Sequence, residues 1–348
     1  MSDTASKGGA SPAPGPRNLI TDVPGLAVGQ AQDAAVRTGV PVILPDARAV
    51  CAVDVRGGGP GTRETDAQAP ETLVEAVDAV VLSGGSVWGL AAADGAVAWL
   101  GARGRGFRLA NRPGVPPSPV VPAAILFDLA NGGDKAWGED PPYRELGRRA
   151  CAAASLDFDL GTAGAGYGAT TATLKGGLGS ASVRTASGFT IGAIVAVNAV
   201  GTATIGDGPH FWAAPYEQSN EFGGLGLPKT ISEDDLRPRL KGSAQRANTV
   251  IGCIATDAML TKAECKRLAL AAHDGLARAI RPAHTPMDGD TLFAAATGFK
   301  PLDKGVMDLT ELCIAAADVL ARAIARGVYE AKALPFAGAL PDWKARSR

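Results

Sequence analysis

Residues 247–260, ANTVIGCIATDAML, with their continuation through 261–280, TKAECKRLALAAHDGLARAI, and 281–298, RPAHTPMDGDTLFAAATG, decide how this chain folds. Val250 to Ala255 is an unbroken apolar run of strand length. Residues 261–280 carry apolar side chains at helical spacing with charges between them, and 289–297 returns to strand. Ahead of this block lies 213–247, polar, charged and punctuated by glycine and proline, which reads as a long exposed connection. A change from polar loop to buried strand therefore falls at Asn248 and Thr249.

Working outward, Ile20 to Asp33 and Val42 to Val55 carry short apolar runs broken by Pro-Gly and Gly-rich turns, as hairpin strands do. Val77 to Leu82 is a further strand that runs through a glycine turn into a buried helix from Val87 to Leu100. The proline-rich stretch 112–124 can only be extended loop, and Ala124 to Leu129 follows as a short strand. Tyr143 to Ala154 has a helical pattern, and a glycine-dense loop then leads into strands at Gly179 to Thr185, Phe189 to Val197 and Gly201 to Ile205. A last helix spans Val306 to Ala333. Strands come in groups with helices between them, which predicts an α/β (α+β) fold with sheets packed in the middle and helical layers outside.

The 348 residues include 46% hydrophobic but only 5% aromatic residues, so the core is built from Ala, Val, Leu and Ile. Lys plus Arg (34) against Asp plus Glu (35) leaves a net charge of -1, without the positive field that a phosphate-backbone binder needs. Nucleic acid is not an expected partner. Five scattered cysteines with no CxxC pair suggest neither a disulfide framework nor a zinc site, and fit a reducing compartment. Residues 1–17 lack an apolar segment of the signal-peptide kind and read as a disordered tail, and no run reaches the ~20 residues of a membrane span. The expectation is a cytoplasmic protein with no membrane partner.

Several motifs carry little. Glycine turns at Ser83 to Gly89 and Gly161 to Gly168 do not fit GxGxxG, and read as tight turns before they read as phosphate sites. His210, His273 and His284 show no HExxH spacing and read as solvated or packed. No GxSxG elbow sits between a strand and a helix.

Taken with 20–30 ITDVPGLAVGQ, 54–66 DVRGGGPGTRETD, 82–90 LSGGSVWGL and 164–182 GAGYGATTATLKGGLGSAS, the segments 247–260 and 281–298 resemble the family of β-aminopeptidases, L-aminopeptidase/D-esterases and nylon-oligomer hydrolases. The Asn-Thr junction and MDGDT look most like the nylon-oligomer branch, while ornithine acetyltransferases share the fold by similarity and are more distant. The resemblance implies a four-layer αββα sandwich of the N-terminal-nucleophile (Ntn) hydrolase type. It implies a precursor cut between Asn248 and Thr249 into a large fragment (18–248) and a small one (249–348) that remain one composite domain. It further implies a homo-oligomer, in relatives a tetramer, that needs no metal or organic cofactor and acts on a small amide or peptide substrate.

The chemistry of such a junction is explicable in itself. A threonine hydroxyl is a weak nucleophile and needs a base; a free α-amine on the same residue is one, with a reference pKa of about 7.7–8.0. Alone, a threonine opening a strand is ordinary β structure, and it is the motif context that makes Thr249 the nucleophile. By the same resemblance Asp288 and Asp290 hold or orient Thr249, with Gly289 allowing a turn that lets both converge. Lys175 matches a lysine that lowers the amine pKa and donates to the hydroxyl, and Asn198 matches the amide that faces the tetrahedral oxyanion. Phe127 stands where the nylon-oligomer branch carries a tyrosine; Phe127, Trp88 and Tyr167 are the expected substrate contacts. A non-catalytic anion-binding protein on the same scaffold, and an acyltransferase that resolves the acyl-enzyme with an amine, stay open beside the hydrolase.

Overall fold

The computed structural model describes residues 11–110, 112–242 and 248–346. In chain order its strands are β1 (Leu26–Asp33), β2 (Thr38–Pro45), β3 (Ala49–Val55), β4 (Thr62–Arg63), β5 (Ala76–Val77), β6 (Val80–Ser83), β7 (Ala123–Ile125), β8 (Gly177–Arg184), β9 (Thr190–Asn198), β10 (Thr249–Ala258) and β11 (Thr291–Lys300). The longer helices are α1 (Ala92–Gly101), α2 (Tyr143–Ala152), α3 (Lys262–Ala279) and α4 (Val306–Tyr329).

The strands form two sheets, ordered β1-β2-β6-β7-β4 and β5-β3-β11-β10-β9-β8. Val28, Ile43 and Leu82 of the first meet Ile194, Ile251 and Phe293 of the second in the central core. Leu100 of α1 and Leu146 of α2 cover the outer face of the first sheet over Val42 and Val81. Leu276 of α3 and Ile324 of α4 cover the second over Val195 and Ile254. The result is the four-layer αββα sandwich. Every residue of β10 is buried because this strand is central in its sheet and covered on both faces, which is why Val250 to Ala255 is an unbroken apolar run rather than alternating. β10 and β11 run parallel, so their link must cross over the sheet, and α3 makes that crossing. Its start is fixed by a capping box: Glu264 N donates to Thr261 Oγ1 at 3.3 Å and Thr261 N to Glu264 Oε2 at 2.8 Å.

Three segments differ from expectation. The strand expected over Val77 to Leu82 is two short strands in different sheets, because the buried Asp78 takes Val120 N–H on its carboxylate (2.9 Å) and gives its own N–H to Val120 O (2.8 Å), which interrupts the ladder where the chain crosses. Gly201 to Ile205 is no strand: Thr202 and Thr204 make single bridges to Arg281 and Phe211, and Thr202 Oγ1 bonds Thr204 O at 2.9 Å, folding the segment on itself. The helix expected from Val87 begins as 3-10 turns over Ser86–Ala91 and becomes α-helical at Ala92. Residues 1–10 of the expected tail lie outside the described residues; further on, Ala13 exchanges backbone hydrogen bonds with Arg184 at the end of β8. Among the described residues no helix is long and apolar enough to cross a membrane.

Candidate active site

The junction lies where three strand ends converge. Thr249 opens β10 directly opposite Asn198, the last residue of β9, and Asn248 bridges in parallel to Asp288 in the loop before β11. β-branched residues at 249–251 favour extended backbone from Thr249 onward, so the ladder itself holds the Asn248–Thr249 peptide. Thr249 is only 5% exposed. Its Oγ1 lies against Asn248 O, and Gly289 N donates to that same carbonyl at 2.8 Å. A fixed backbone donor on the carbonyl that would take negative charge is the arrangement that stabilises a tetrahedral adduct.

The two aspartates straddle this junction with separate partners. Asp288 accepts from Thr285 N (2.9 Å) and Thr285 Oγ1 (2.8 Å) on one oxygen and from Val200 N (3.4 Å) on the other. Burial, then the neighbouring Asp290 charge, raises its pKa above the usual carboxylate range. Asp290 accepts Val250 N at 2.8 Å, and His284 through both its N–H (3.0 Å) and Nδ1 (2.8 Å). Gly289 works by its lack of a side chain: its φ is not positive, but a Cβ there would stand 2.8 Å from Thr249 Oγ1. Gly57 serves the same loop from the other side, since a Cβ there would fall 2.2 Å from Asp288 O. Through it Gly59 N reaches Asp288 O at 2.7 Å and Arg56 N reaches Asp290 O at 2.9 Å, so the glycine run 57–59 is a backbone clamp on MDGD.

Asn198 Oδ1 accepts Thr170 N (3.1 Å) and Lys241 Nζ (2.9 Å), and its Nδ2 donates to Phe127 O (3.0 Å). Lys175 is buried, but its ammonium donates to the carbonyls of Gly166 (2.7 Å), Ala169 (2.8 Å) and Gly176 (2.7 Å). All three of its donors are thereby committed to the glycine loop, and none remains for the Thr249 hydroxyl. Burial draws the Lys175 pKa down to about 7, against the attraction of Asp128. Asp128 is itself pushed up to about 6 by burial, although Thr38 Oγ1 (2.7 Å) and Gly85 N (2.7 Å) bond its carboxylate.

A cavity of about 460 Å³ adjoins Asn198, walled by Phe127, Asp128 and Lys241 and, from the C-terminal segment, Phe336 and Leu340. Phe127 lies in that wall. Trp88 and Tyr167 are not in that wall: Trp88 is exposed and stands edge-on to Trp137 at 6.3 Å, and Tyr167 closes a 3-10 turn at Gly164–Gly166. Four further groups that the motifs do not mark lie beside the junction or its cavity, namely Lys241, His284, Asp128 and the Gly289 amide. His284 alone left a signal, since it precedes MDGD by one short turn, but only the folded loop brings its ring back to Asp290. His273 packs on His284 at 4.9 Å and on Asp54, and burial, then His284, lowers its pKa to about 4.

Residues 18–339 match the profile of peptidase family S58. The chain belongs to peptidase family S58. Over 347 residues this family member is 45% identical to an uncharacterised aminopeptidase of Mycobacterium tuberculosis, with 94% of this chain and 97% of that protein covered. It is 31% identical over 296 residues to the 6-aminohexanoate-oligomer endohydrolase of a Kocuria species, covering 81% and 76%. Among solved structures it superposes on a Burkholderia β-aminopeptidase with a TM-score of 0.70 at 24% identity, covering 97% and 94%. It also superposes on the L-aminopeptidase D-Ala-esterase/amidase of Ochrobactrum anthropi, described as a variant of the Ntn hydrolase fold, with a TM-score of 0.67 at 21% identity over 95% and 93%. This S58 member is therefore a peptidase with the Ntn-hydrolase fold.

Proposed function

We propose that the chain is a precursor that cuts itself between Asn248 and Thr249, and that the freed Thr249 then hydrolyses amide bonds of short peptides through an acyl-enzyme. The observation that carries this reading is the Asn248 carbonyl, held by Gly289 N at 2.8 Å with the Thr249 hydroxyl against it. In the first step Thr249 Oγ1 bonds to the Asn248 carbonyl carbon, the C–N bond breaks, and the hydroxyl proton ends on the Thr249 nitrogen. Water then hydrolyses the ester, leaving an Asn248 carboxylate and a Thr249 α-amine. Asp288, paired with Asn248 at the junction, relays that proton from the hydroxyl to the nitrogen before the free amine exists.

In turnover the α-amine takes the hydroxyl proton and returns it to the leaving amine, while Asn198 Nδ2 donates to the oxyanion. One of its two N–H groups is held by Phe127 O, and the second makes no hydrogen bond among the described residues. Asp290 fixes the start of β10 through Val250 N. An aminopeptidase activity is favoured over oligoamide endohydrolysis, since the aminopeptidase relative is 45% identical and the endohydrolase 31%. The Phe127 ring also lacks the hydroxyl expected of the nylon-oligomer branch.

The test is the purified chain itself. It should run as fragments of roughly 25 and roughly 10 kDa, the smaller beginning TVIGCIA, and it should release p-nitroaniline from aminoacyl p-nitroanilides. Thr249→Ala should stay one chain and be inactive. A different amino terminus on the small fragment, or turnover by Thr249→Ala, refutes the assignment.

A further inference from the structure

Lys241 lies outside every motif that carries the family resemblance, in the connection that composition marks as exposed, yet its side chain is buried. Its backbone N–H donates to Val200 O at 2.9 Å, which ties it beside the end of β9. Its Nζ donates to Asn198 Oδ1 at 2.9 Å and to Asn198 O at 3.4 Å, and it lines the cavity with Asn198. A side-chain amide has an accepting and a donating end of nearly equal shape, and only its partners decide which way it faces. Here the two groups on Oδ1, Thr170 N–H and the Lys241 ammonium, can only donate, and the group on Nδ2, Phe127 O, can only accept. Lys175 cannot share this task, because its three donors are held by three carbonyls.

We propose that Lys241 is a positioning residue: its ammonium locks the Asn198 amide with Nδ2 presented to the oxyanion and keeps a positive charge beside that site. This rests on the reading of Asn198 as oxyanion donor given above. The lock has a pH signature. The groups facing Lys241 are Asp288 from the loop before β11, Lys175 from the loop before β8, Asp128 beyond β7 and, after cleavage, the Thr249 α-amine at the head of β10. Burial draws the Lys241 pKa down to about 7, with Asp288 opposing the fall and Lys175 adding to it. A neutral amine accepts as well as donates, so the lock and its charge weaken as pH rises through that value. An arginine, with a pKa of about 12.5 or more, stays charged.

The experiment compares self-cleaved wild type, Lys241→Met and Lys241→Arg, measuring kcat and KM on an aminoacyl p-nitroanilide from pH 5 to 10. Lys241→Met should lower kcat by about 10²-fold, the lower end of the effect of deleting an oxyanion donor, with little change in KM. Lys241→Arg should retain more activity and shift the alkaline limb of the kcat profile upward, which a merely space-filling lysine would not do. Should Lys241→Met fail to fold, the limb in Lys241→Arg decides alone. Unchanged kcat in Lys241→Met, or an unmoved alkaline limb in Lys241→Arg, overturns the proposal while wild type remains active. A wild type that neither cuts itself nor turns over substrate sinks the functional reading and this inference with it.

Discussion

Gly289→Ala perturbs the site at the point where geometry leaves least room. The added Cβ would stand 2.8 Å from Thr249 Oγ1 and 2.7 Å from Gly59 O, whereas non-bonded contacts settle at about 3.5–4.0 Å, so something must give by roughly 0.7 Å. Gly59 cannot retreat freely, because its N–H is bonded to Asp288 O at 2.7 Å. The loop carrying Gly289 must therefore shift, and its N–H, now 2.8 Å from Asn248 O, moves beyond the ~3.2 Å at which such bonds fail. Losing that donor should slow self-cleavage by about 10²–10³-fold, the usual cost of deleting one oxyanion contact. Stability should fall by only about 1–3 kcal/mol, as for other overpacked sites, roughly 2–4 °C in Tm for each kcal/mol. The assay is the rate at which the two fragments appear on a denaturing gel, with a thermal melt of Thr249→Ala and the Gly289→Ala/Thr249→Ala double variant as the uncut reference pair, which reports the Gly59 O contact and not the Oγ1 contact, because Thr249→Ala removes Oγ1. Cleavage at the wild-type rate with a normal melt would falsify the role given to the Gly289 amide.

Two further outcomes follow from the buried charges. Lys175→Met strips the carbonyls of Gly166, Ala169 and Gly176 of their donor, and should destabilise the uncut Thr249→Ala chain by about 1–3 kcal/mol for each carbonyl that water does not reach; a melt within 1–2 °C of its parent, taken as roughly the resolution that matters on this scale, would show the loop has no need of it. Asp128, with a folded pKa of about 6 against roughly 3.9 unfolded, makes the native state the better proton binder between those values, so its contribution to stability is present at low pH and is lost as pH rises through that window. Asp128→Asn, measured by urea unfolding of the uncut chain, should abolish a fall on the order of 2–3 kcal/mol between pH 4 and 7; an unchanged slope would mean that the carboxylate is ionised throughout.

Asn198 and Lys175 show why parts of the site were legible and others not. Both are singled out by the family resemblance, since by itself Lys175 has the character of a surface charge and Asn198 that of a strand-end residue, whereas the structure buries both. What each nitrogen touches is decided by the fold. Lys175 was expected at the hydroxyl, yet the glycine-rich loop 161–176 brings the carbonyls of Gly166, Ala169 and Gly176 around its ammonium first. Lys241 was invisible because a lysine in a polar, glycine-bearing connection has the composition of solvent-exposed loop, and its bonds to Val200 O and Asn198 come from segments far off in sequence.

Periodicity along the chain carries the layered order of the fold and the change from polar loop to strand at Asn248 and Thr249, while a cut there is implied only by the family resemblance. The six-residue apolar run Val250 to Ala255 reads as a strand buried on both faces, and an amphipathic helix after it has one face to cover that strand's sheet. Local propensity and periodicity carry that information, because each depends on near neighbours along the chain. The tertiary structure alone decided that the buried Asp78 breaks one apparent strand between two sheets, that residues 57–59 clamp the MDGD loop, and which way the Asn198 amide faces. Those outcomes depend on backbone groups and ammonium ions brought together from segments far apart in sequence, and hydrogen bonds of that range leave no periodic trace in a single chain.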